Sequence, residues 1–158
     1  MAGEADISGG FKMNRAQFSA LVIIGLLIST ISFGVTYGGG SGTEADPYQI
    51  WTPQQMNTIG ADPNDWDKCF KLMADVNMSI YTGTQYKIIG NFTTKYTGTF
   101  DGNHYAIRNL TYTTTSAVNY IGVFGCCYNA TIKDLGVENI TFTTEGYSVG
   151  GLALHILG

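Results

Sequence analysis

The sequence predicts an all-β protein, a solenoid of about four short coils with one short helix at its N-terminal end. Short apolar runs alternate with Gly, Asn and Asp corners over most of the 158-residue chain. Similar segments recur at intervals of roughly 20–30 residues, which is typical of solenoids, whose units bury their apolar faces only against their neighbours. Helical patterns are confined to one apolar N-terminal run and one short polar segment.

Residues 1–37 have the composition of an export leader. Lys12 and Arg15 precede an apolar run from Phe18 to Val35, and small residues suited to a signal peptidase follow it. Two interpretations stay open, a cleaved signal peptide and an uncleaved N-terminal anchor, because the run is near the lower length limit for spanning a bilayer. Both predict an exported protein that meets a membrane only through this segment.

Residues 38–47 are rich in Gly and Ser, which predicts a flexible linker. The β-helix domain is expected to occupy residues 48–158, beginning with a strand at Tyr48 to Trp51. We therefore divide the chain into a leader, a linker and one repeat domain.

A short helix is predicted from Pro53 to Ile59. Thr52 is a candidate N-cap, Gln55 completes a capping box with it, and proline is favoured at the first helical position. Gly60 is placed to end the helix. Because the first coil of a solenoid has no preceding neighbour, we expect this helix to cover it.

The clearest repeat unit is Thr97 to Leu110, in which two apolar runs flank the corner Asp101-Gly102-Asn103. A looser copy follows about one coil later, and a third partial copy follows that one. The matched pairs are Phe100 with Phe124, Ile107 with Ile132, Leu110 with Leu135, and Gly122 with Gly150. The predicted core comprises Phe100, Ile107, Leu110, Ile121, Phe124, Ile132, Leu135, Val137 and Ile140.

Asparagine is frequent at the predicted strand ends. It tolerates left-handed backbone and caps turns, as a coil corner requires. The positions are Asn77, Asn91, Asn103, Asn109, Asn119, Asn129 and Asn139, and five of them begin N-x-[ST] sequons. We interpret these sequons as corners in preference to glycosylation sites.

An ordered set of motifs carries a family resemblance. G-T-F-D-G-N-H-Y-A-I-R-N-L is followed by Y-I-G-V-F-G, A-T-I-K-D-L-G-V-E-N-I and Y-S-V-G-G-L-A. Over roughly residues 40–158 this succession resembles secreted bacterial proteins with GLUG-type repeats. The resemblance implies a right-handed parallel β-helix that is exported and attached to the cell surface. It implies a scaffold and brings no catalytic motif to this chain.

The charge of the chain argues against nucleic-acid binding. The net charge is −4, and removal of the leader takes away two basic and two acidic residues, so it does not change. A protein that neutralises phosphates needs a basic stripe, which is absent from this sequence.

The three cysteines do not form a metal-binding pattern. Cys126 and Cys127 are adjacent, and neighbours on a strand face opposite sides, so we expect one to be buried and the other exposed. The odd count leaves at least one thiol, among these two and Cys69, without an intrachain partner. No cofactor or metal is predicted.

The most tempting chemical cluster is Asp101, Asn103 and His104, a carboxylate beside an imidazole. The favoured interpretation is a tight turn in which Asp101 and Asn103 bond to nearby backbone. A weaker hypothesis aligns Asp75 and Asn77 with Asp101 or Asp134 as oxygen ligands for Ca²⁺. Because the carboxylates are thinly spread, we predict that the protein is not an enzyme.

Tyrosines are numerous. An exposed row would suit stacking on sugar rings or contact with a protein partner, whereas stacking inside the sheets is the ordinary alternative. The candidate glycan or partner face consists of Tyr86, Tyr96, Tyr105 and Tyr112.

The C-terminal stretch is apolar and has no polar cap, so two interpretations stay open: the chain is a fragment of a longer repeat protein, or the last coil is open and offers a candidate assembly surface. Its residues are Val149, Leu152, Leu154, Ile156 and Leu157. Contact of this surface with the N-terminal region of another copy would propagate into a filament. The expected function is a non-catalytic extracellular or cell-surface structural or adhesive module whose partner is itself or a surface glycan or protein. The alternative is a carbohydrate-binding module or polysaccharide-active enzyme on the same scaffold.

Overall fold

The computed structural model describes residues 37–157, with backbone alone for residues 153–157. These residues belong to one compact unit. The predicted leader lies outside the described residues except for Tyr37. Within residues 37–157, no helix is both long enough and apolar enough to cross a membrane.

The regular elements of the described chain are mostly β-strands, with one α-helix and one 3₁₀ turn. Helix α1 is Pro53–Ala61, and the 3₁₀ turn is Pro63–Asp65. The strands are β1 (Tyr48–Ile50), β2 (Cys69–Leu72), β3 (Val76–Asn77), β4 (Thr99–Asp101), β5 (Ala106–Arg108), β6 (Thr111–Thr113), β7 (Phe124–Tyr128), β8 (Thr131–Lys133), β9 (Gly136–Glu138), β10 (Thr141–Thr143) and β11 (Ala153–Leu157). The prediction of an all-β protein is confirmed at this level.

All strand pairs in residues 37–157 are parallel. The sheet orders are β1-β2-β4-β8, β3-β5-β9, β6-β10 and β7-β11. Parallel strands need long connections. The connection from β1 to β2 contains α1 and the 3₁₀ turn, and every later connection passes through at least one other sheet before the chain returns. This arrangement fits a β-helix.

The register corrects most of the predicted repeat matches. Phe100 lies beside Ile132, and Ile107 lies beside Val137, so the matches of Phe100 with Phe124 and of Ile107 with Ile132 are wrong. Phe124 belongs to a different sheet from Phe100, and their rings meet edge to face at 5.3 Å. For Phe100 and Phe124, the sequence similarity joined residues that face each other inside the core and that do not stack in one sheet.

The later matches divide in the same way. Thr111 pairs with Thr141, which places Leu110 beside Ile140, so the predicted match of Leu110 with Leu135 is wrong. Ile121 bridges Val149 in parallel, which agrees with the match of Gly122 with Gly150. For most of the chain, the sequence interval between paired residues of neighbouring strands is therefore longer than the sequence similarity indicated.

Asparagine corners set the turns, as predicted. Asn103, Asn109, Asn129 and Asn139 have φ between 49° and 57°, the left-handed region that Asn tolerates better than most residues. Asn109 Nδ2 donates to Asn77 Oδ1 at 3.1 Å, and Asn139 Nδ2 donates to Asn109 Oδ1 at 3.4 Å. Equivalent corners are therefore linked along the stack of strands.

Helix α1 forms as the sequence predicts. Gln55 N donates to the Thr52 hydroxyl, the Gln55 side chain accepts from Thr52 N, and Met56 and Ile59 are buried. The helix continues one residue past Gly60, so the prediction that Gly60 ends it is wrong. A β-carbon at Gly60 would overlap the carbonyl of Lys87, and this close approach is what glycine permits.

Residues 38–47 are packed on the domain, and the prediction of a flexible linker is wrong. Gly38 N donates to Gln49 O at 2.7 Å, and Gln49 N donates to Gly39 O at 2.9 Å. Successive residues of a strand point their backbone groups to alternate sides, so these bonds lie on the side of β1 opposite β2. Tyr37 also packs its ring on Tyr48.

Candidate functional site

The Asp101 corner has a structural role. Asp101 Oδ1 accepts from Asn103 N at 2.8 Å, as the turn interpretation predicts. Asn103 Nδ2 donates to Leu72 O at 3.2 Å, so that side chain joins two neighbouring turns of the chain. His104 is exposed and has a φ of 66°. The carboxylate is used to build a corner.

A second polar stack lies beside it. Arg108 Nη2 is 3.2 Å from Asp75 Oδ2, and Arg108 Nε is 2.9 Å from Glu138 Oε2. Asp75 Oδ1 also accepts from Ala106 N at 2.8 Å. All three ion-paired side chains are more than a third exposed, so solvent screens these pairs and each contributes little stability. No group of three His, Cys, Asp or Glu side chains within residues 37–152 is arranged to hold a metal ion.

The predicted tyrosine face is wrong for three of its four residues. Tyr86, Tyr96 and Tyr112 are buried, with exposed fractions of 1%, 0% and 8%. The Tyr86 hydroxyl donates to Val123 O at 2.9 Å, and burial raises the pKa values of Tyr86 and Tyr96 well above the ordinary value. Only Tyr105 of the four is exposed. Stacking inside the core, the alternative interpretation, accounts for the others.

The two adjacent cysteines are both buried. Cys127 belongs to the core cluster and Cys126 does not, which agrees with their facing opposite sides. The prediction that one of them is exposed is wrong. Burial raises the pKa of Cys126, and it raises the pKa of Cys127 to about 11. All three cysteines, with Cys69 half-buried, are free thiols.

The strands that close the sheets define a surface that we call the open end, made by β8, β9 and β10. Each of these strands has one hydrogen-bonded neighbour in the described chain. The apolar side chains of this region pack on the core but are only partly buried, although the sequence predicted all but Phe142 as full core residues. The partly buried residues are Ile132, Leu135, Val137, Ile140 and Phe142.

Backbone groups at the open end also lack a partner strand within residues 37–157. Thr131 N, Gly136 N and Thr141 N donate to the preceding turn of the chain. Because successive residues of a strand alternate in direction, the N–H groups of Ile132, Val137 and Phe142 point away from it. The open end therefore combines unpaired strand edges with half-covered apolar side chains.

The predicted assembly residues lie near this end. Val149 and Leu152 are 42% and 37% exposed. Positions 154, 156 and 157 lie on β11, which pairs with β7.

Sequence reasoning missed a groove of about 650 Å³, which we call the Phe92 groove. Its walls include Asn91, Phe92, Thr93, Thr94, Asn119 and Tyr120. Phe92 is 63% exposed, and its ring stacks on that of Tyr120 at 5.8 Å with an interplanar angle of 19°. The available signal was one aromatic residue inside a polar run, N-F-T-T-K, with no alternating apolar partner.

Comparison with known proteins finds a partial similarity. Halomucin of Haloquadratum walsbyi is 30% identical to this chain over 109 residues, a match that covers 62% of the chain. The chain spans about 1% of the length of halomucin. No family model matches the chain, and no solved structure matches it.

Proposed function

We propose that this protein is a non-catalytic structural or adhesive module of the cell surface or extracellular space. In this proposal, the parallel sheets form a right-handed β-helix of about four coils, of the kind found in GLUG-repeat proteins. The open end associates with a second copy of the chain. The observation that carries the proposal is the open end itself, where the last strands of three sheets in the described chain carry partly buried apolar side chains.

Unpaired strand edges favour association. A parallel sheet that stops without cover presents N–H and C=O groups that another strand satisfies. Lys133 and Glu138 are exposed on these strands, and such charges limit pairing with unrelated chains. The combination favours a selective partner such as an identical chain.

Two observations support an extracellular location. The N-terminal sequence has the composition of an export leader. The similar region belongs to halomucin, whose name likens that protein to the mucins.

The use of the acidic side chains supports a non-catalytic role. Asp75 and Asp101 bond to backbone and to basic side chains that belong to the fold. A general acid or base needs a carboxyl group that is available to a substrate.

Assembly is tested by light scattering and electron microscopy of the full chain over a range of concentrations. We expect association that grows with concentration. Phe142→Lys places a charge on the open end, where a second copy would bury it, and should leave monomers. Thr143→Lys is the matched control, since its exposed side chain lies on the same strand, and it should still associate.

The form of the assemblies separates two versions of the proposal. Filaments require the N-terminal end also to accept a copy, whereas a closed dimer needs only two open ends. Monomers at every concentration would contradict association through this surface, as would equal association by Phe142→Lys and Thr143→Lys.

A further inference from the structure

We propose that the Phe92 groove binds an acidic saccharide, a pyranose ring with a carboxylate. The groove lies apart from the open end in the chain, and this inference goes beyond the proposed structural role. It rests on the stacked aromatic pair, the amide groups at the rim and one lysine beside the ring.

Both walls of the groove are held by hydrogen bonds to asparagine side chains. Asn91 Oδ1 accepts from Thr93 N at 2.9 Å and from Thr94 N at 2.8 Å, which fixes the first wall. Asn119 Oδ1 accepts from Tyr147 N at 2.9 Å, which fixes the second. A preformed site avoids the entropy cost of ordering loops when a ligand binds.

Tyr120 adds backbone evidence for a constrained wall. Its φ is 61°, which is uncommon for a bulky residue and persists only where the surroundings determine it. The conformation places its ring against Phe92. The exposed ring of Phe92 thus stands on a supported aromatic base and not on a mobile loop.

Sugar recognition combines apolar C–H faces, which pack on aromatic rings, with hydroxyl groups that need hydrogen-bond partners. Phe92 supplies the ring. The side-chain oxygens of Asn91 and Asn119 accept backbone bonds, while their amide nitrogens make no hydrogen bond within residues 37–157. Each amide therefore has two N–H groups to offer. The groove volume is within the range of small-ligand clefts, about 300–1,000 Å³.

The charge beside the groove selects an acidic sugar. Lys95 Nζ lies 5.5 Å from the centre of the Phe92 ring and donates to Phe92 O at 3.1 Å. None of the ion pairs in the described chain involves Lys95, and no acidic residue lines the groove. A carboxylate on the bound sugar would give this ammonium group its counter-charge.

The test is saturation-transfer difference NMR on the full chain, with trigalacturonate and its fully methyl-esterified form as probes. The signals come from the sugar, so the method works for monomers and assemblies. We expect signals from trigalacturonate and binding about tenfold weaker for Phe92→Ala, because the stacking ring is lost. Lys95→Gln and the methyl ester should each weaken binding about threefold, and added salt should reduce that difference.

Tyr128→Ala is the control, since Tyr128 is also a half-exposed aromatic residue but does not line the groove. It should bind as the unmodified chain does. The proposal is overturned if neither probe gives a signal at millimolar concentrations, or if Phe92→Ala binds unchanged. Equal binding of acid and ester, with no effect of Lys95→Gln, would overturn the assignment of an acidic ligand.

Discussion

The two ends of the strand stack are built differently. At the N-terminal end, Gly38 and Gly39 bond to the outer side of β1, and α1 buries Met56 and Ile59 against the core. At the open end, β8, β9 and β10 have no such cover within the described residues. Within the described part of the chain, one end is closed by backbone bonds and a helix, and the other presents its strand edges.

The difference changes burial without changing residue type. Phe100 and Ile132 are neighbours in one sheet and Ile107 and Val137 in another, yet only Phe100 and Ile107 are fully buried. An apolar residue in this fold is buried by the turn of chain that follows it. The burial of an apolar side chain therefore depends on the position of its strand in the stack. Mutations at paired positions in one sheet should show this dependence as a difference in stability.

The largest expected effect comes from two separate alanine variants, at Phe100 and at Ile132, which are paired residues of one sheet. Phe100→Ala should cost about 3–5 kcal/mol of unfolding free energy, because it leaves a cavity among Phe70, Phe124 and neighbours. Ile132→Ala should cost about 1–2 kcal/mol, because the side chain is only partly buried. Urea unfolding of both variants measures the difference. Equal costs would show that the open end is covered in solution.

The next effect is the pH dependence of stability caused by Cys127, which is buried in the interior between the two ends. Burial raises the pKa of Cys127 from 9.0 to about 11, so the folded state holds this proton more tightly than the unfolded state. The stability from the neutral thiol is complete below pH 9 and is lost as pH rises towards 11, by about 2–3 kcal/mol. Urea unfolding from pH 8 to 11 should show this fall. Cys127→Ala should remove its own part of the fall and leave the part from Cys126, Tyr86 and Tyr96, whose pKa values burial also raises. Cys69→Ala, which retains Cys127, should leave the whole fall.

A glycine at each end gives a smaller contrast. Gly60→Ala should cost about 2 kcal/mol, since overlap with the Lys87 carbonyl outweighs a gain of about 1 kcal/mol in helix propensity. Gly151 has open space around the position of a β-carbon, so Gly151→Ala should change stability by less than about 0.5 kcal/mol. Thermal or urea unfolding measures both. A neutral Gly60→Ala would mean that α1 does not press on Lys87 as described.

The smallest effect tests the helix that closes the N-terminal end. Thr52→Ala removes the acceptor for Gln55 N and should cost about 1 kcal/mol. Thr58→Ala, in the same helix, removes only a bond to the Gln54 carbonyl and should be neutral or slightly stabilising. Loss of stability in both variants, measured by urea unfolding, would contradict a role specific to the cap.

Local features of the fold were predictable and distant ones were not. The capping box of α1 and the asparagine corners follow from residues within a few positions of each other. The pairing of Phe100 with Ile132 depends on the lengths of several corners. A comparison of the apolar pattern between repeats does not reveal those lengths. The sequence therefore predicted parallel repeats but, for most of the chain, not their register.

The sites show the same division. Tyrosine has an apolar ring and a polar hydroxyl, so composition could not indicate that Tyr86 and Tyr96 are buried. The Phe92 groove joins segments that are distant in the sequence, and their proximity follows only from the register. The Asp101 turn was predictable because its bonds are local.

The unequal spacing between paired residues has an evolutionary consequence. The interval from Phe70 to Phe100 is slightly shorter than that from Phe100 to Ile132, while all three residues stay in register in one sheet. Corners absorb such differences, so small insertions there leave the sheets unchanged. Duplication of one interior unit would lengthen the molecule while keeping both of its ends. Among related proteins of this kind, the number of stacked units should therefore vary far more readily than the number of residues in each strand.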